Sequence, residues 1–339
     1  MNKFDEVYEI RLAKETDIDD IMQFICEEWD ANHILGNSKA YFIYEHVIEQ
    51  EVTFIIARNR DDNRIYSLLG YIYASRDKDN LDIWTGIWKT KDGAMALLGM
   101  ELMRRLKSLV NARSITGIGD NPNTTIKLVK LFLRHYTGKM NQYYMVSGVV
   151  PIKLASIKKK VYNCADVVNG VYDVEKASDV NQLKNLLDKV DKTKVPYKDA
   201  WYVKHKYFDN PIYKYNVFVV KNNKDVCAAL VLREQEWESS MVGRIVDFFG
   251  DSRHFSMFTG FFKDALNKYE YIDFYALGFD EKAIFDSGFV KRDEYDENVI
   301  PNYFYPFERR NVDIWVDSSN DNTLYLKGDG DQDRPNFLG

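Results

Sequence analysis

The chain has 339 residues, of which 45% are hydrophobic and 29% are charged, and its 7 prolines and 18 glycines leave little room for low-complexity linkers. This length and composition predict a folded protein of about two domains and exclude a largely disordered chain. A formal net charge of −6 argues against a nucleic-acid partner, because neutralising phosphates requires an excess of lysine and arginine.

The predicted elements occur twice in the same order along the chain. The first half shows, in sequence, a strand, a capped helix, a hairpin, a strand, a helix and a strand, at residues 7–12, 16–21, 52–58 with 68–74, 81–88, 94–110 and 114–118. The second half repeats this order at residues 171–174, 178–183, 216–221 with 226–233, 244–249, 255–269 and 271–277. We therefore predict an α+β fold of two tandem domains, over 1–150 and 166–339, with a linker at 151–165.

Residues 88–95 join a strand to an amphipathic helix, and this junction is a candidate anion site. The first turn of a helix exposes unpaired N–H groups and the positive end of the helix dipole, and Gly93 permits close approach to the backbone. Positive charge in the same region comes from Lys89, Lys91, Arg104, Arg105, Lys107 and Arg113. The pattern favours a polyphosphate ligand. The alternative is that Gly93 is only a turn residue and that the arginines only complement the C-terminus of the helix.

Two features bear on location. The cysteines Cys26, Cys164 and Cys227 are odd in number and widely spaced, so they offer neither a disulfide framework nor a paired metal-binding motif. The first ten residues have no apolar signal-peptide core, and no run of about 18 apolar residues occurs. We expect a cytoplasmic protein with no membrane partner.

The absence of a GxSxG, P-loop or dinucleotide motif gives no support to a hydrolase, an NTPase or a dehydrogenase.

The junction sequence TKDGAM (90–95) aligns with the pattern Gln/Arg-x-x-Gly-x-Gly/Ala, of which it retains only Gly93. On this motif and on the order of elements, the chain resembles the Gcn5-related N-acetyltransferase (GNAT) superfamily, in which the junction cradles the pyrophosphate of coenzyme A. Longer stretches resemble tandem acyltransferases of bacterial surface-polysaccharide pathways, which acylate the amine of dTDP-linked amino-dideoxy sugars. These stretches are 29–36 (WDANHILG), 69–75, 82–89, 138–145 and 328–336.

The resemblance implies two tandem GNAT-like domains, each a mixed, mostly antiparallel sheet flanked by helices, and a reaction in which a sugar amine attacks an acyl-CoA thioester. It implies that Ser75 and Asp82 hold the amine and that Tyr143 or Tyr144 protonates the leaving thiolate. Backbone N–H groups near Thr85 to Ile87 would stabilise the oxyanion. The residues expected to contact acyl-CoA are Trp84, Thr85, Ile87, Lys89, Lys91, Gly93, Ala94, Met95 and Asn121. Those expected to contact the nucleotide-linked amino sugar are Trp29, His33, Asp329, Asp331 and Arg334.

Several of these residues also have structural interpretations that involve no ligand. Ser75 and Asp82 are also explained as strand-edge residues, one of the two tyrosines as core, and Asn121 as a helix N-cap. His33, beside Ile34 and Leu35, also suits an ordinary surface position.

The aspartates at 329, 331 and 333 alternate as in the first half of a calcium loop, but the closing glutamate is missing, so we expect no metal. A frayed acidic terminus and a tail folded over the nucleotide-sugar stay open.

The second domain is expected to repeat the fold without the chemistry. At its equivalent junction (250–255, GDSRHF), an acidic residue stands beside the would-be phosphate site, so we expect only the first domain to bind coenzyme A. The second domain would form a wall that faces the acceptor and would give structural support. Two other functions stay open: a tandem-GNAT peptidyltransferase, against which the acidic charge and the lack of coiled-coil heptads argue, and a non-catalytic ligand-binding protein. The acyl group, the position of the sugar amine and the oligomeric state are left open.

Overall fold

The computed structural model describes residues 2–161, 172–222, 225–293 and 297–335. Predictions that concern Cys164, Val171, Asn223 and Asn336 lie outside these ranges. The strands are β1 (Tyr8–Ala13), β2 (Val47–Ile48), β3 (Glu51–Asn59), β4 (Ile65–Tyr73), β5 (Asp82–Thr90), β6 (Ser114–Ile118), β7 (Tyr136–Lys139), β8 (Asn141–Val146), β9 (Val174–Lys176), β10 (Asn216–Asn222), β11 (Asp225–Trp237), β12 (Ser240–Gly250), β13 (Tyr271–Leu277), β14 (Val290–Lys291), β15 (Tyr303–Phe304), β16 (Phe307–Glu308), β17 (Trp315–Ser318) and β18 (Tyr325–Leu326).

The α-helices are α1 (Lys3–Val7), α2 (Ile18–Glu28), α3 (Ile34–Asn37), α4 (Lys39–His46), α5 (Leu98–Leu109), α6 (Thr125–Leu128), α7 (Lys184–Leu187), α8 (Ala200–Val203), α9 (Thr259–Ala265) and α10 (Glu281–Asp286). Short 3₁₀ turns occur at Glu15–Asp17, Lys78–Asn80, Val180–Leu183 and Ser252–Phe258, and π-helical turns at Val129–Leu133 and Lys204–Phe208. The helix predicted over 255–269 is therefore a 3₁₀ turn followed by the short α9.

The chain forms two compact units. Unit 1 comprises the described parts of Met1–Thr137, Trp315–Asp321 and Arg334–Gly339, and unit 2 those of Gly138–Ile314 and Asn322–Asp333. The sheet of unit 1 has the order β1-β3-β4-β5-β6-β17-β7, with β2 paired to β3, and β5 and β6 run parallel. The sheet of unit 2 has the order β14-β8-β13-β12-β11-β10-β9, with β18 paired to β13, and β12 and β13 run parallel. Each sheet is otherwise mostly antiparallel, so the predicted α+β fold of two related domains is confirmed.

Local patterns account for most of these elements. The two predicted hairpins are the antiparallel pairs β3–β4 and β10–β11. Buried leucines and isoleucines recur at helical spacing and turn one face of α2 and of α5 toward the sheet: Ile18, Ile21 and Ile25, then Leu98, Leu102 and Leu106.

Two strands join the sheet that sequence order does not suggest. β17, near the end of the chain, pairs antiparallel with β6 in unit 1, and β8, within the predicted first domain, pairs antiparallel with β13 in unit 2. The compact units therefore differ from a division at residue 150. The physical reason is that strand pairing satisfies backbone hydrogen bonds between segments that are distant in the chain, which boundary prediction from local composition does not detect.

Candidate active site

The sheet of unit 1 opens between its two parallel strands. β5 pairs with β6 only over Asp82–Trp84, although β5 continues to Thr90 and β6 to Ile118. On the other side of β5 the register with β4 shifts, so that Gly86 and Ile87 together oppose Gly70 alone. Such a bulge bends the strand and takes residues out of the hydrogen-bond ladder. The opening therefore begins at Thr85, where the resemblance implies the oxyanion donors.

A cavity of about 430 Å³ lies at the far end of β5, where the chain enters α5. It is formed by residues 90–100 together with Trp88, Thr124, Thr125 and Leu128. The predicted residues Lys91, Gly93, Ala94 and Met95 all line it, so the structure brings these four together. Trp84 occupies the last position of β5 that pairs with β6, and Thr85 and Ile87 follow on the part of β5 that has left β6.

Helix α5 begins at Leu98, four residues later than predicted, because the preceding loop contains two residues with positive φ. Gly93 has φ +83° and Leu97 has φ +67°, and these left-handed conformations turn the chain before the helix starts. The amide of Met95 donates to the Tyr8 hydroxyl at 3.1 Å. Six other amides of the loop and first helical turn have no acceptor within the described ranges: those of Asp92, Gly93, Ala96, Leu97, Gly99 and Met100. Free amides at a helix start favour an anion.

Gly99 allows this first turn to lie close to β5. A Cβ atom at this position would stand 2.8 Å from the Trp88 indole nitrogen and 2.8 Å from the Thr90 hydroxyl, which is closer than real side chains pack. The sequence analysis did not single out Gly99. A glycine inside a predicted helix, where it is intrinsically unfavourable, was the signal available.

The predicted basic cluster is wrong, because its arginines are neutralised by carboxylates. Glu101 accepts hydrogen bonds from Arg104 and from Arg105, whose guanidinium also binds Asp5 at 2.7 Å. Lys91 at the cavity pairs with Glu28 at 2.9 Å. The helix start itself is therefore the main source of positive potential at the cavity.

Asp82 lies at the closed end of the β5–β6 pair. Its Oδ1 accepts from Arg113 Nε at 3.0 Å and from the Ser114 hydroxyl at 2.7 Å, and the carboxylate is buried. At about 3.3 Å per residue, Asp82 is about 20 Å of strand away from Trp88. Ser75 is buried, its hydroxyl has no hydrogen-bond partner among the described residues, and it lines a second cavity of about 360 Å³. These contacts favour a structural role for Asp82, and the predicted catalytic role of the pair stays a prediction.

Tyr143 and Tyr144 lie on β8, in the sheet of unit 2 and not in unit 1, so their assignment to the first domain is wrong. The Tyr143 hydroxyl donates to Glu281 Oε1 at 2.5 Å, and the Tyr144 hydroxyl accepts from Asn298 at 3.1 Å. Burial raises the pKa of Tyr143, as does its carboxylate partner. Both rings are part of the core of unit 2.

The other predicted ligand contacts in unit 1 have local partners. His33 Nδ1 accepts from the Leu35 amide at 3.2 Å and so caps α3, and Asn121 Oδ1 accepts from the Asn123 amide at 2.8 Å in the turn before α6. Trp29 caps the end of α2 with 47% of its surface exposed. Arg334 binds the Glu45 carboxylate at 2.7 and 2.9 Å. Their contacts to ligand stay predictions.

The C-terminal segment of unit 2 lies between its two parallel strands. β12 pairs with β13 only as far as Ile245. Beyond that point β18 pairs with β13, and the Gly328 amide donates to the Val246 carbonyl at 2.6 Å. The opening that exists in unit 1 is filled here by the chain itself.

Two of the three aspartates of this segment form ion pairs with buried lysines. Asp329 pairs with Lys198 at 2.5 Å and Asp333 with Lys206 at 3.2 Å, while Asp331 is half-buried. The tail is therefore ordered as far as it is described, and the frayed-terminus alternative is wrong.

Across the described ranges, no group of three or more His, Cys, Asp or Glu side chains is arranged to hold a metal ion. Within the same ranges, no helix has the length and apolar character that crossing a membrane requires.

A cluster of acid–base side chains that the sequence analysis missed lies at the opening of unit 1. Asp317 on β17 stands opposite Gly117 on β6, Asp120 follows β6 by two residues, and His135 Nδ1 is 2.5 Å from Asp317 Oδ1. Alternating apolar residues at Val312, Ile314 and Val316 were the available signal for the strand that carries Asp317.

Comparison with known proteins identifies the fold. No model of a protein family matches the sequence, and no curated protein matches it significantly. Among solved structures, the chain is similar to a GCN5-related N-acetyltransferase from Anabaena variabilis ATCC 29413, with 9% identity over 91% of this chain and 72% of that one and a TM-score of 0.57. It is also similar to a conserved protein of unknown function from Enterococcus faecalis V583, described as a probable N-acyltransferase, with 7% identity, 92% and 71% coverage and a TM-score of 0.56. At these identities the similarity concerns the fold, and the expectation of two GNAT-like domains is confirmed.

Proposed function

We propose that the protein is an acyl-CoA-dependent N-acyltransferase whose acyl donor binds unit 1. The observation that carries this proposal is the opening between β5 and β6, which leads to a cavity where six amides of the loop and first turn of α5 have no acceptor among the described residues. An anionic group is the natural partner of such amides. Oxygens of a pyrophosphate would satisfy them, and Lys91, whose ion pair is with Glu28, lies in the cavity wall.

The remaining walls suit the rest of an acyl-CoA. Trp88, Met100 and Leu128 give the cavity apolar surface beside the polar helix start, as an extended pantetheine arm requires. Along β5 toward the opening, Gly86 and Ile87 have no partner in the register with β4, and pairing with β6 has already ended. Their backbone groups are our candidates for the oxyanion site.

For the acceptor we propose the amine of a nucleotide-linked amino sugar, specifically a dTDP-linked 3- or 4-amino-dideoxy sugar. This part of the proposal is supported by the resemblance of segments 29–36, 69–75 and 82–89, and by the chemistry, since such an amine attacks a thioester directly. The transferred acyl group is proposed to be longer than acetyl, such as a 3-hydroxyacyl group, and the reaction is proposed to require no metal.

Unit 2 is proposed to bind no second acyl-CoA. Its equivalent opening holds β18 and the segment that follows it, including Gly328, whose amide bonds to Val246. Asp329 lies in this segment, so displacing the segment would break the ion pair of Asp329 with Lys198, which also pairs with Asp247. We expect calorimetry to give one equivalent of coenzyme A per chain.

A pair of matched glycine variants tests the site. Gly99 and Gly260 are each the second residue of a helix, α5 and α9, but a Cβ at Gly260 would meet nothing within 4 Å. Gly99→Val displaces the first turn of α5 from β5, so we expect the dissociation constant for coenzyme A to rise at least tenfold, about 1.4 kcal/mol. Gly260→Val should leave it unchanged. Equal affinities in two folded variants would refute the assignment.

The acceptor is tested by measuring thiol release from a panel of acyl-CoAs with and without nucleotide-linked amino sugars. Release that requires an amino sugar supports the proposal. Release with simple amines or peptides alone would retain the acyltransferase and overturn the sugar acceptor. Binding of coenzyme A without release in any mixture would favour a non-catalytic ligand-binding protein.

A further inference from the structure

The two carboxylates of Asp120 and Asp317 approach each other over Gly117. A Cβ atom at Gly117 would collide with carboxylate oxygens of both residues, so the missing side chain is what gives them room. Each carboxylate has one oxygen, Oδ2, that is buried and receives no hydrogen bond from a donor in the described residues. A buried polar atom without a partner is costly, and a proton shared by the two carboxylates supplies the missing donor.

Among the residues that the structure describes, one side chain capable of positive charge contacts the pair. His135 Nδ1 lies 2.5 Å from Asp317 Oδ1, and no lysine or arginine within the described ranges forms an ion pair with either aspartate. Burial, together with the charge of Lys107 on α5, lowers the pKa of His135 to about 4. The ring is therefore neutral at pH 7, and a hydrogen bond joins its Nδ1 to Asp317 Oδ1.

The two carboxylates consequently titrate as a pair. Burial and the charge of Asp317 raise the pKa of Asp120 well above its usual range, and burial raises the pKa of Asp317 to about 6. Of the described residues, His135 is the titratable group that acts on the pair, and Lys107 in turn acts on His135. Near neutral pH the pair holds one proton and one negative charge, and it takes up a second proton only below about pH 6.

The pair lies where the sheet opens. Thr116 is the last residue of β6 that pairs with β5, opposite Trp84, and the next residues are Gly117 and Thr85. Side chains of adjacent strands at the same level share a face, so Thr85, Gly117 and its partner Asp317 are on one face of the sheet. His135 follows the helical segment whose residues Thr124, Thr125 and Leu128 line the cavity.

We propose that Asp120 is the general base of the acyl transfer and that Asp317 and His135 position it; this inference rests on the proposed function. The neutral acceptor amine attacks the thioester carbonyl carbon and forms the C–N bond. The nitrogen thereby becomes positively charged and gives one proton to Asp120, which doubly protonates the pair. The C–S bond breaks with its electron pair on sulfur, and the thiolate takes up that proton, which restores the pair. Asp120 is assigned this contact because it is the less buried of the two aspartates.

The test uses Asp120→Asn and Asp317→Asn in the full chain, with Asp19→Asn as control; Asp19 is an exposed residue whose ion pair is with Lys39. An amide in place of one carboxylate supplies the hydrogen that the pair shares, so the fold is kept. We expect kcat to fall by roughly 10² to 10⁴ in Asp120→Asn, the range for loss of a general base, with the affinity for coenzyme A unchanged. In the wild type, kcat should fall below about pH 6, where the pair takes up its second proton; this acid limb of the pH profile should be absent from the residual activity of Asp120→Asn. Asp317→Asn should move that limb and lower kcat less.

The pH dependence of stability tests the shared proton independently of activity. The folded pair has pKa values above those of unfolded aspartates, so the wild type loses stability as pH rises through about 6. The amide that Asp120→Asn introduces cannot ionise, so the Tm of this variant should exceed that of the wild type at pH 8. The difference in Tm should vanish near pH 4. A lower Tm at pH 8 would overturn the shared proton.

The outcomes separate the two proposals. An active wild type with an equally active Asp120→Asn variant and an unchanged pH profile overturns this inference alone. A wild type that binds no coenzyme A and transfers no acyl group overturns the proposed function and this inference with it.

Discussion

The buried ion triad of unit 2 is a sensitive point at which to test why its C-terminal segment stays between β12 and β13. Lys198 Nζ lies 2.8 Å from both carboxylate oxygens of Asp247 and 2.5 Å from Asp329 Oδ1, and both aspartates are fully buried. Asp329 also accepts from the Leu326 amide at 2.9 Å, which joins the triad to β18. Lys198→Met keeps the length of the side chain and removes its charge.

The expected loss of stability is large because two carboxylates stay buried without their cation. Removing one partner of a buried ion pair costs about 3–5 kcal/mol. The matched control is Lys204→Met, since Lys204 forms its ion pair with Asp209 at the surface, where the two side chains are 55% and 46% exposed. Such a pair contributes about 0–1 kcal/mol.

The pH dependence of the stability loss in Lys198→Met shows whether the buried carboxylates cause it. Burial raises the pKa of Asp329 to about 6 even though Lys198 lowers it, so removing the lysine should raise that pKa further. A carboxylate whose folded pKa exceeds its unfolded value contributes stability that is present at low pH and lost as pH rises. The deficit of Lys198→Met should therefore be smaller at pH 5 than at pH 8. Urea denaturation at both pH values, with the slope m compared between variants, measures it. A deficit at pH 8 no larger than that of Lys204→Met would refute the reasoning.

Two further variants test the sequence-derived roles. Asp82→Asn removes the charged partner of Arg113 and should cost about 1–3 kcal/mol in urea denaturation while leaving the affinity for coenzyme A unchanged; a loss of affinity without a loss of stability would move Asp82 into the site. Tyr143→Phe removes a hydroxyl that donates to Glu281 in unit 2, so we expect kcat within about twofold of wild type, whereas a fall of 10² or more in steady-state assays would restore its role as proton donor to the thiolate.

Much of the site follows from local signals in the sequence. The strand-to-helix junction around Gly93 was identifiable because a glycine, two lysines and an amphipathic helix follow one another within a short segment. The helix start was misplaced by four residues, since Leu97 adopts a left-handed conformation that leucine rarely takes and that the pattern does not reveal. The charge of the junction was overestimated, because Glu101 and Asp5 neutralise arginines that look free in the sequence.

What the sequence by itself determined is the set of elements and their repetition. Alternation of apolar residues at a period of two, helical spacing and turn residues act within a few residues, and they identify the hairpins β3–β4 and β10–β11 and hence two similar folds. Only the tertiary structure decided which distant segments complete each sheet and which side chains meet. His135 and Asp317 are 182 positions apart, and β17 carries Asp317 next to Gly117 because antiparallel pairing with β6 satisfies the backbone of both strands. Such contacts depend on hydrogen bonds and burial across the whole fold, which no local pattern contains.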